Sequence, residues 1–311
     1  MTPALSVVVI TPDIYATVRK TIKHLRAQSI SRSMEILLLA PSAKALNVEV
    51  SEMEGFLSYK IVEVGHINST ARARVAGVHE ATAPIVAFAE DHAYPAPGWA
   101  EALVNRHKEN WAAVGPVMAN ANPKSITSWA NFLIEYAPWL DPAQGGEREH
   151  LPGHNCSYKR HLLLEYGDQL EAMMDAESIL HWDLRNKSHR LYLEQKARTF
   201  HENFSAPAPM LPLRFHGGRL FASARAQEWT TWRRIMFAFA SPLIPVVRCL
   251  RITRELFKPG RPRYLLPRVL PILMLGLVFD GAGEMMGYAF GAGGAMAKLS
   301  DMEFHRERYM S

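Results

Sequence analysis

Three polar, ionisable residues in a row, Glu90, Asp91 and His92, close the apolar run Ile85-Val86-Ala87-Phe88-Ala89 and precede the turn-forming Pro95 and Pro97. An uninterrupted apolar run of this length suits a strand buried on both faces of a parallel sheet. Ligands of open α/β sheets bind at the carboxyl ends of such strands, so these side chains stand where a site is expected. Side chains alternate along a strand, which would put Glu90 and His92 on one face and Asp91 on the other. A carboxylate and an imidazole on one face can share a divalent ion; the bland alternative is a solvated strand end before a turn.

The elements that would hold this strand are legible upstream. Residues 5–10 are a Val-rich apolar run ending at Thr11-Pro12-Asp13, 16–28 carry Val18, Ile22 and Leu25 at helical spacing, and 35–40 are a second apolar run. A short strand is expected at 59–64, a helix at 68–81 and the buried strand at 85–89, followed by a loop into another helix. Strands alternating with helices imply a parallel, doubly wound sheet with right-handed crossovers. At 311 residues, with 48% hydrophobic and 21% charged, the chain can bury a sizeable core and carry an appendage. Two cysteines give no disulfide framework, and the first residues lack the pattern of a signal peptide, which points to a reducing, cytoplasmic setting.

In order and spacing these segments resemble family 2 glycosyltransferases, which have the nucleotide-sugar-binding GT-A fold. The resemblance rests on Val7-Val8-Val9-Ile10-Thr11-Pro12 for the opening strand and turn, and on Ala73-Arg74-Val75-Ala76-Gly77 for the Ala-Arg-Asn-x-Gly helix. Glu90-Asp91-His92 stands for Asp-x-Asp, and Pro97-Gly98-Trp99 for the turn after it. It covers roughly residues 5–205. It implies donor contacts at Thr11, Pro12, Asp13, Arg74, Glu90 and Asp91, and an acceptor-side segment at Gly153, His154 and Asn155. Glu177 falls where the family places the base that deprotonates the acceptor, with Asp175 as the alternative. A metal would be held by Glu90 and His92, with His201, at the end of Ala197-Arg198-Thr199-Phe200-His201, as a further ligand or merely a hydrogen-bonded strand-end residue. Where the family carries an Asp pair for the base and ribose this chain has Ala40-Pro41-Ser42, and His92 replaces the usual metal-ligating Asp. Imidazole in the ligand set favours Mn²⁺ over Mg²⁺. Two histidines and a carboxylate would also suit non-haem iron, but no oxygenase-like strand pattern surrounds them.

The sequence therefore divides into a catalytic domain at 1–205, a Pro-rich linker at 206–228 and an apolar, Arg-rich helical extension at 229–311. Between Trp229 and Arg268 nine Lys and Arg residues face Glu255 alone. Arg248, Arg251 and Arg254 form a basic stripe if helical, with Val246, Val247 and Leu250 as an apolar flank, the composition of a helix in a membrane interface. Residues 265–279 are the most apolar run, but Asp280 and Glu284 interrupt its continuation, so an interfacial or re-entrant segment is expected rather than a clean span. A buried helical pair is the alternative.

The function expected from the resemblance is an inverting glycosyltransferase that moves a sugar from a nucleotide-diphosphate donor to a hydroxyl acceptor, a sugar or lipid-linked sugar. It would act at the cytoplasmic face of an anionic membrane, in cell-surface polysaccharide or glycolipid synthesis. A catalytically silent nucleotide-sugar binder on the same fold is the alternative, motivated by Ala40-Pro41 and His92. A nucleic-acid-binding role is disfavoured by the apolar residues among the arginines and the lack of a nucleic-acid module.

Overall fold

The computed structural model describes residues 2–11 and 14–309. The chain forms two compact units, one from residues up to 119 together with 141–201, the other from 120–140 together with 202 onward.

The first unit is a mixed α/β layer structure. Its strands are β1 (Leu5–Ile10), β2 (Met34–Ala40), β3 (Ser58–Glu63), β4 (Ile85–Ala89), β5 (Ala93–Pro95), β6 (Ala113–Asn120), β7 (Gly146–Arg148), β8 (Ser157–Lys159) and β9 (Leu191–His201). They form one sheet in the order β3-β2-β1-β4-β8-β6-β9-β5, with β7 against β9. The half from β3 to β4 is parallel, with Val7 opposite Ile36 and Ala87, while β8 runs antiparallel to β4 and β6, and β5 antiparallel to β9. Helices α1 (Tyr15–Arg26), α2 (Ala43–Leu46), α3 (Val50–Met53), α4 (Thr70–Glu80) and α5 (Trp99–His107) intervene. Helices α7 (Arg160–Leu164), α8 (Leu170–Met174) and α9 (Glu177–Asn186) follow β8.

Both faces of β1 and β2 are covered, which is why these strands read as solid apolar runs. Val7, Val9, Ile36 and Leu38 share one core with Val18, Ile22 and Leu25 of α1. On the opposite face α4 packs so closely that a Cβ on Gly77 would lie 2.7 Å from Val8 Cγ1. Ser69 caps α4 by accepting from the Arg72 amide. Glu35, at the start of β2, is buried because four groups satisfy its surroundings: its carboxylate accepts from the Ser6 hydroxyl and from the Thr82 amide and hydroxyl, and Ser6 in turn accepts from the Ala83 amide.

The second unit is helical: α6 (Ile126–Tyr136), α10 (Pro207–Arg225), α11 (Thr231–Ala240), α12 (Ile244–Leu256), α13 (Leu266–Phe290) and α14 (Ala295–Phe304). Most of the expected linker at 206–228 is thus helix α10. Its Pro207 and Pro209 lie in the first turn, where backbone amides have no helical partner anyway, so they do not oppose the helix. Helices α10 and α13 touch backbone to backbone: a Cβ on Gly283 would lie 2.0 Å from the Phe215 carbonyl oxygen. Gly276 of α13 makes room for a side chain of α6, with Ile134 Cδ1 at 2.6 Å from a Cβ there. The domain boundary expected at 205 is also too simple, because α6 belongs to this unit.

The acids of α13 face inward. Asp280 and Glu284 are buried, Asp280 pairs with Arg248, and Glu284 accepts from the Tyr288 hydroxyl at 3.2 Å. Arg248 also donates to the Ile134 carbonyl, so the expected outward stripe of three arginines reduces to Arg251 and Arg254. One row of apolar residues does the opposite. Trp232, Phe239, Leu243, Val246 and Leu250 face outward at helical spacing, Phe239 at 82% exposure. The helical runs Thr231–Leu256 and Arg263–Phe290 are long and apolar enough to cross a membrane by length and composition.

Candidate active site

Strand β4 ends at Ala89, and Glu90, Asp91 and His92 form the turn into β5. The alternation expected from a continued strand is therefore broken. Asp91 does not point away from its neighbours: its Oδ1 lies 2.6 Å from His92 Nδ1. A carboxylate only accepts, so Nδ1 carries the proton and Nε2 is directed to the other side of the ring. On that side stands His201. The antiparallel pairing of β5 with β9 sets Ala93 opposite His201 and so brings the end of β9 to the turn.

His92 and His201 are 8% and 3% exposed, and their Nε2 atoms are 3.1 Å apart. Glu90 places Oε2 3.5 Å from His201 Nε2 and Oε1 3.9 Å from His92 Nε2. One donor atom from each of the three lies within 4.8 Å of the others. Two nitrogens bound to one ion at ~2.1 Å would be about 3.0 to 3.4 Å apart in octahedral or tetrahedral geometry, so this donor set fits a divalent ion. Burial pushes the Glu90 carboxyl up, but His92, His201 and His154 together outweigh it and hold the group well below the usual carboxylate range.

A second cluster adjoins the first. Asn155 donates from Nδ2 to Glu90 Oε2 at 2.8 Å, and His154 Nδ1 lies 3.9 Å from Glu90 Oε1 and 3.1 Å from Glu177 Oε1. Glu177 opens α9, and its carboxylate pairs with Arg74 of α4. Arg74 Nη2 also reaches His154 Nδ1 at 2.8 Å, so the guanidinium expected near a diphosphate is engaged with the candidate base and its neighbour. Gly153 leaves the room for this packing: a Cβ there would lie 2.3 Å from Glu177 Cβ. Burial raises the Glu177 carboxyl, yet His154 and Arg74 prevail and lower it. Asp175 goes the other way, raised by burial and by Glu171 and Glu177.

The remaining donor-side expectations are placed unevenly. Thr11 is buried at the end of β1, its hydroxyl 3.0 Å from that of Thr17. Pro12 and Asp13 lie outside the described residues. A residue not singled out from the sequence also reaches the site: Thr21 of α1, whose hydroxyl contacts the backbone of the Glu90–Ala93 turn. Its signal was a hydroxyl on the apolar face marked by Val18, Ile22 and Leu25.

The family described as "Glycosyl transferase family 2" matches residues 6–167. Among solved structures the fold is similar to a crystal structure of GalNAc-T7 with UDP, GalNAc and Mn²⁺, at TM-score 0.50 and 12% identity. The match covers 65% of this chain and 43% of that one. No curated protein matches the sequence. The likeness to GalNAc-T7 supports the GT-A architecture of the mixed α/β sheet.

Proposed function

The chain belongs to glycosyltransferase family 2 and is a glycosyltransferase, and from that premise we propose that it transfers a sugar from a nucleotide diphosphate to a hydroxyl acceptor with inversion. The observation that carries this reading is the adjacency of the Glu90, His92 and His201 donor set to Glu177, bridged by His154 and Asn155. Glu177 takes the acceptor hydroxyl proton as that oxygen bonds to the anomeric carbon; the bond from this carbon to the diphosphate oxygen breaks, and the nucleoside diphosphate leaves. Glu90, His92 and His201 would hold a divalent ion, which would supply positive charge near the departing diphosphate. The imidazole pair favours Mn²⁺ over Mg²⁺. Asp91 orients His92, and Arg74 with His154 keeps Glu177 ionised and ready to accept a proton.

The second unit supports action at a membrane. Its outward apolar row, with Arg233 and Arg234 at one end and Arg251 and Arg254 at the other, suits an anionic bilayer interface such as the cytoplasmic face. Between Arg234 and Arg248 thirteen residues carry no charge. At ~1.5 Å per residue they extend about 20 Å, short of the ~30 Å hydrocarbon layer, which favours an interfacial position over a crossing. A lipid-linked sugar acceptor, as in cell-surface polysaccharide or glycolipid synthesis, follows from that location.

A thermal-shift series with nucleotide sugars, UDP-linked ones first, with and without Mn²⁺, tests the donor reading. Ligand at 100 times its Kd stabilises by ~2.7 kcal/mol. At ~2–4 °C per kcal/mol the melting temperature should rise by about 5–10 °C. A rise with one donor that requires Mn²⁺ is expected; no rise with any nucleotide sugar would overturn it.

A further inference from the structure

Helix α1 buries Tyr15, Val18, Ile22 and Leu25, and among them Thr21 is equally buried, at 0% exposure. A hydroxyl in such a place needs an acceptor, and three converge on it. Thr21 Oγ1 lies 3.2 Å from the Glu90 carbonyl oxygen, 2.9 Å from that of Asp91 and 3.2 Å from that of Ala93. Those carbonyls belong to the turn that carries Glu90, Asp91 and His92. One proton is shared among three acceptors, with Asp91 at the shortest distance.

Thr21 is the first of a row. Three residues beyond it on the same face His24 Nδ1 contacts the Pro95 carbonyl at 3.1 Å, and just past the end of α1 Gln28 donates to the Ala96 carbonyl at 3.0 Å and accepts from the Ala100 amide at 3.1 Å. The segment 90–100 is thus tied by side chains along α1 and just past its end, and it is paired to β9 over Ala93–Pro95 and through the Ala96 amide, which donates to the Arg198 carbonyl. Thr21 is the member of this row that reaches the backbone of the ionisable residues themselves.

We propose that Thr21 is a positioning residue for the metal-binding turn, fixing the backbone that sets the spacing of Glu90 and His92 to His201. The inference rests on the reading of these three as metal ligands. Two nitrogens 3.1 Å apart are already near the spacing one ion requires, and small backbone shifts at Asp91 would move both the His92 ring and the carboxylate that orients it. Thr21→Val keeps the shape and removes the proton, leaving three carbonyls against a methyl group. Thr21→Ser keeps the proton.

The test is titration of the full-length protein with Mn²⁺ alone, by calorimetry, without donor sugar, alongside thermal melts of the metal-free protein. Thr21→Val should weaken Mn²⁺ binding roughly 10- to 100-fold, as loss of groups that orient ligands typically does. Thr21→Ser should restore it to within about threefold, since it retains the donor on which the argument depends. Val18→Ala, one turn earlier on the same buried face, should lower the melting temperature and leave Mn²⁺ binding unchanged. Normal binding by Thr21→Val, failure of Thr21→Ser to restore it, or an equal loss in Val18→Ala would each overturn the assignment while leaving the metal site standing. Absence of Mn²⁺ binding by the unaltered chain would overturn the metal reading and this inference together.

Discussion

Glu177 is an unusual setting for a base, because its nearest partners stabilise the charged form. Arg74 and His154 keep it ionised, which ensures that it can accept a proton and lowers its affinity for one. If proton removal is its role, Glu177→Gln should retain Mn²⁺ and donor binding while kcat falls by roughly 10²- to 10⁴-fold. Steady-state rates together with donor titration check this, and near-normal turnover would move the base to Asp175. The chemistry-bearing residues were readable to different depths. The polar end of a buried strand drew attention to Glu90 and His92, and the family resemblance to His201; the structure brings donor atoms of the three within 4.8 Å of one another. The orientation of Asp91 was not, because alternation holds only while the strand lasts and β4 stops at Ala89. Thr21 was invisible as a partner of the turn, since the contact joins residues some seventy positions apart.

Two helices of the first unit are fastened through histidines that must stay neutral. His107 of α5 contacts the Ser157 hydroxyl at 2.9 Å, and burial lowers its pKa from 6.5 to about 4. His181 of α9 contacts the Tyr158 hydroxyl at 2.9 Å and is lowered by burial to about 3. Below pH ~6.5 the unfolded chain takes up these protons and the folded chain does not, so stability falls with pH until the folded groups titrate. Between pH 7 and pH 5 each should remove on the order of 2 kcal/mol. Urea midpoints at the two pH values measure the loss, and His107→Gln should shrink it by that group's share; an unchanged difference would mean that His107 is not buried neutral. Elements themselves were legible where one period dominated. Strands β1, β2 and β4 are apolar throughout because both faces are covered, and α1 and α4 keep helical spacing. Strand β6 includes Gly115 and Pro116, and β8 has three residues, so neither presents a strand pattern. The prolines of α10 imitate a linker while sitting mostly where a helix tolerates them.

At the scale of the whole chain, the second unit buries the acids Asp280 and Glu284 beside its apolar interior and leaves Phe239, Leu243 and Leu250 outside. An exposed apolar side chain contributes little to folding, so Phe239→Asp should leave the melting temperature nearly unchanged. If the outward row meets lipid, the same substitution should sharply reduce sedimentation with anionic liposomes. Unchanged sedimentation would separate the row from the membrane. The unit is also assembled from two stretches of sequence, 120–140 and 202 onward, and α6 in the first stretch is packed against α13 in the second. During synthesis α6 therefore leaves the ribosome long before the helix that covers it. At ~5–20 residues per second the interval is roughly 7 to 30 s, during which the apolar residues of α6, Phe132, Leu133 and Ile134 among them, await their partner. The nascent chain is thus obliged to carry an uncovered helix while the strands that follow it, β7, β8 and β9, are being made, and a ribosome that stalls before Leu266 would release a chain whose α6 has nothing of α13 to bury it.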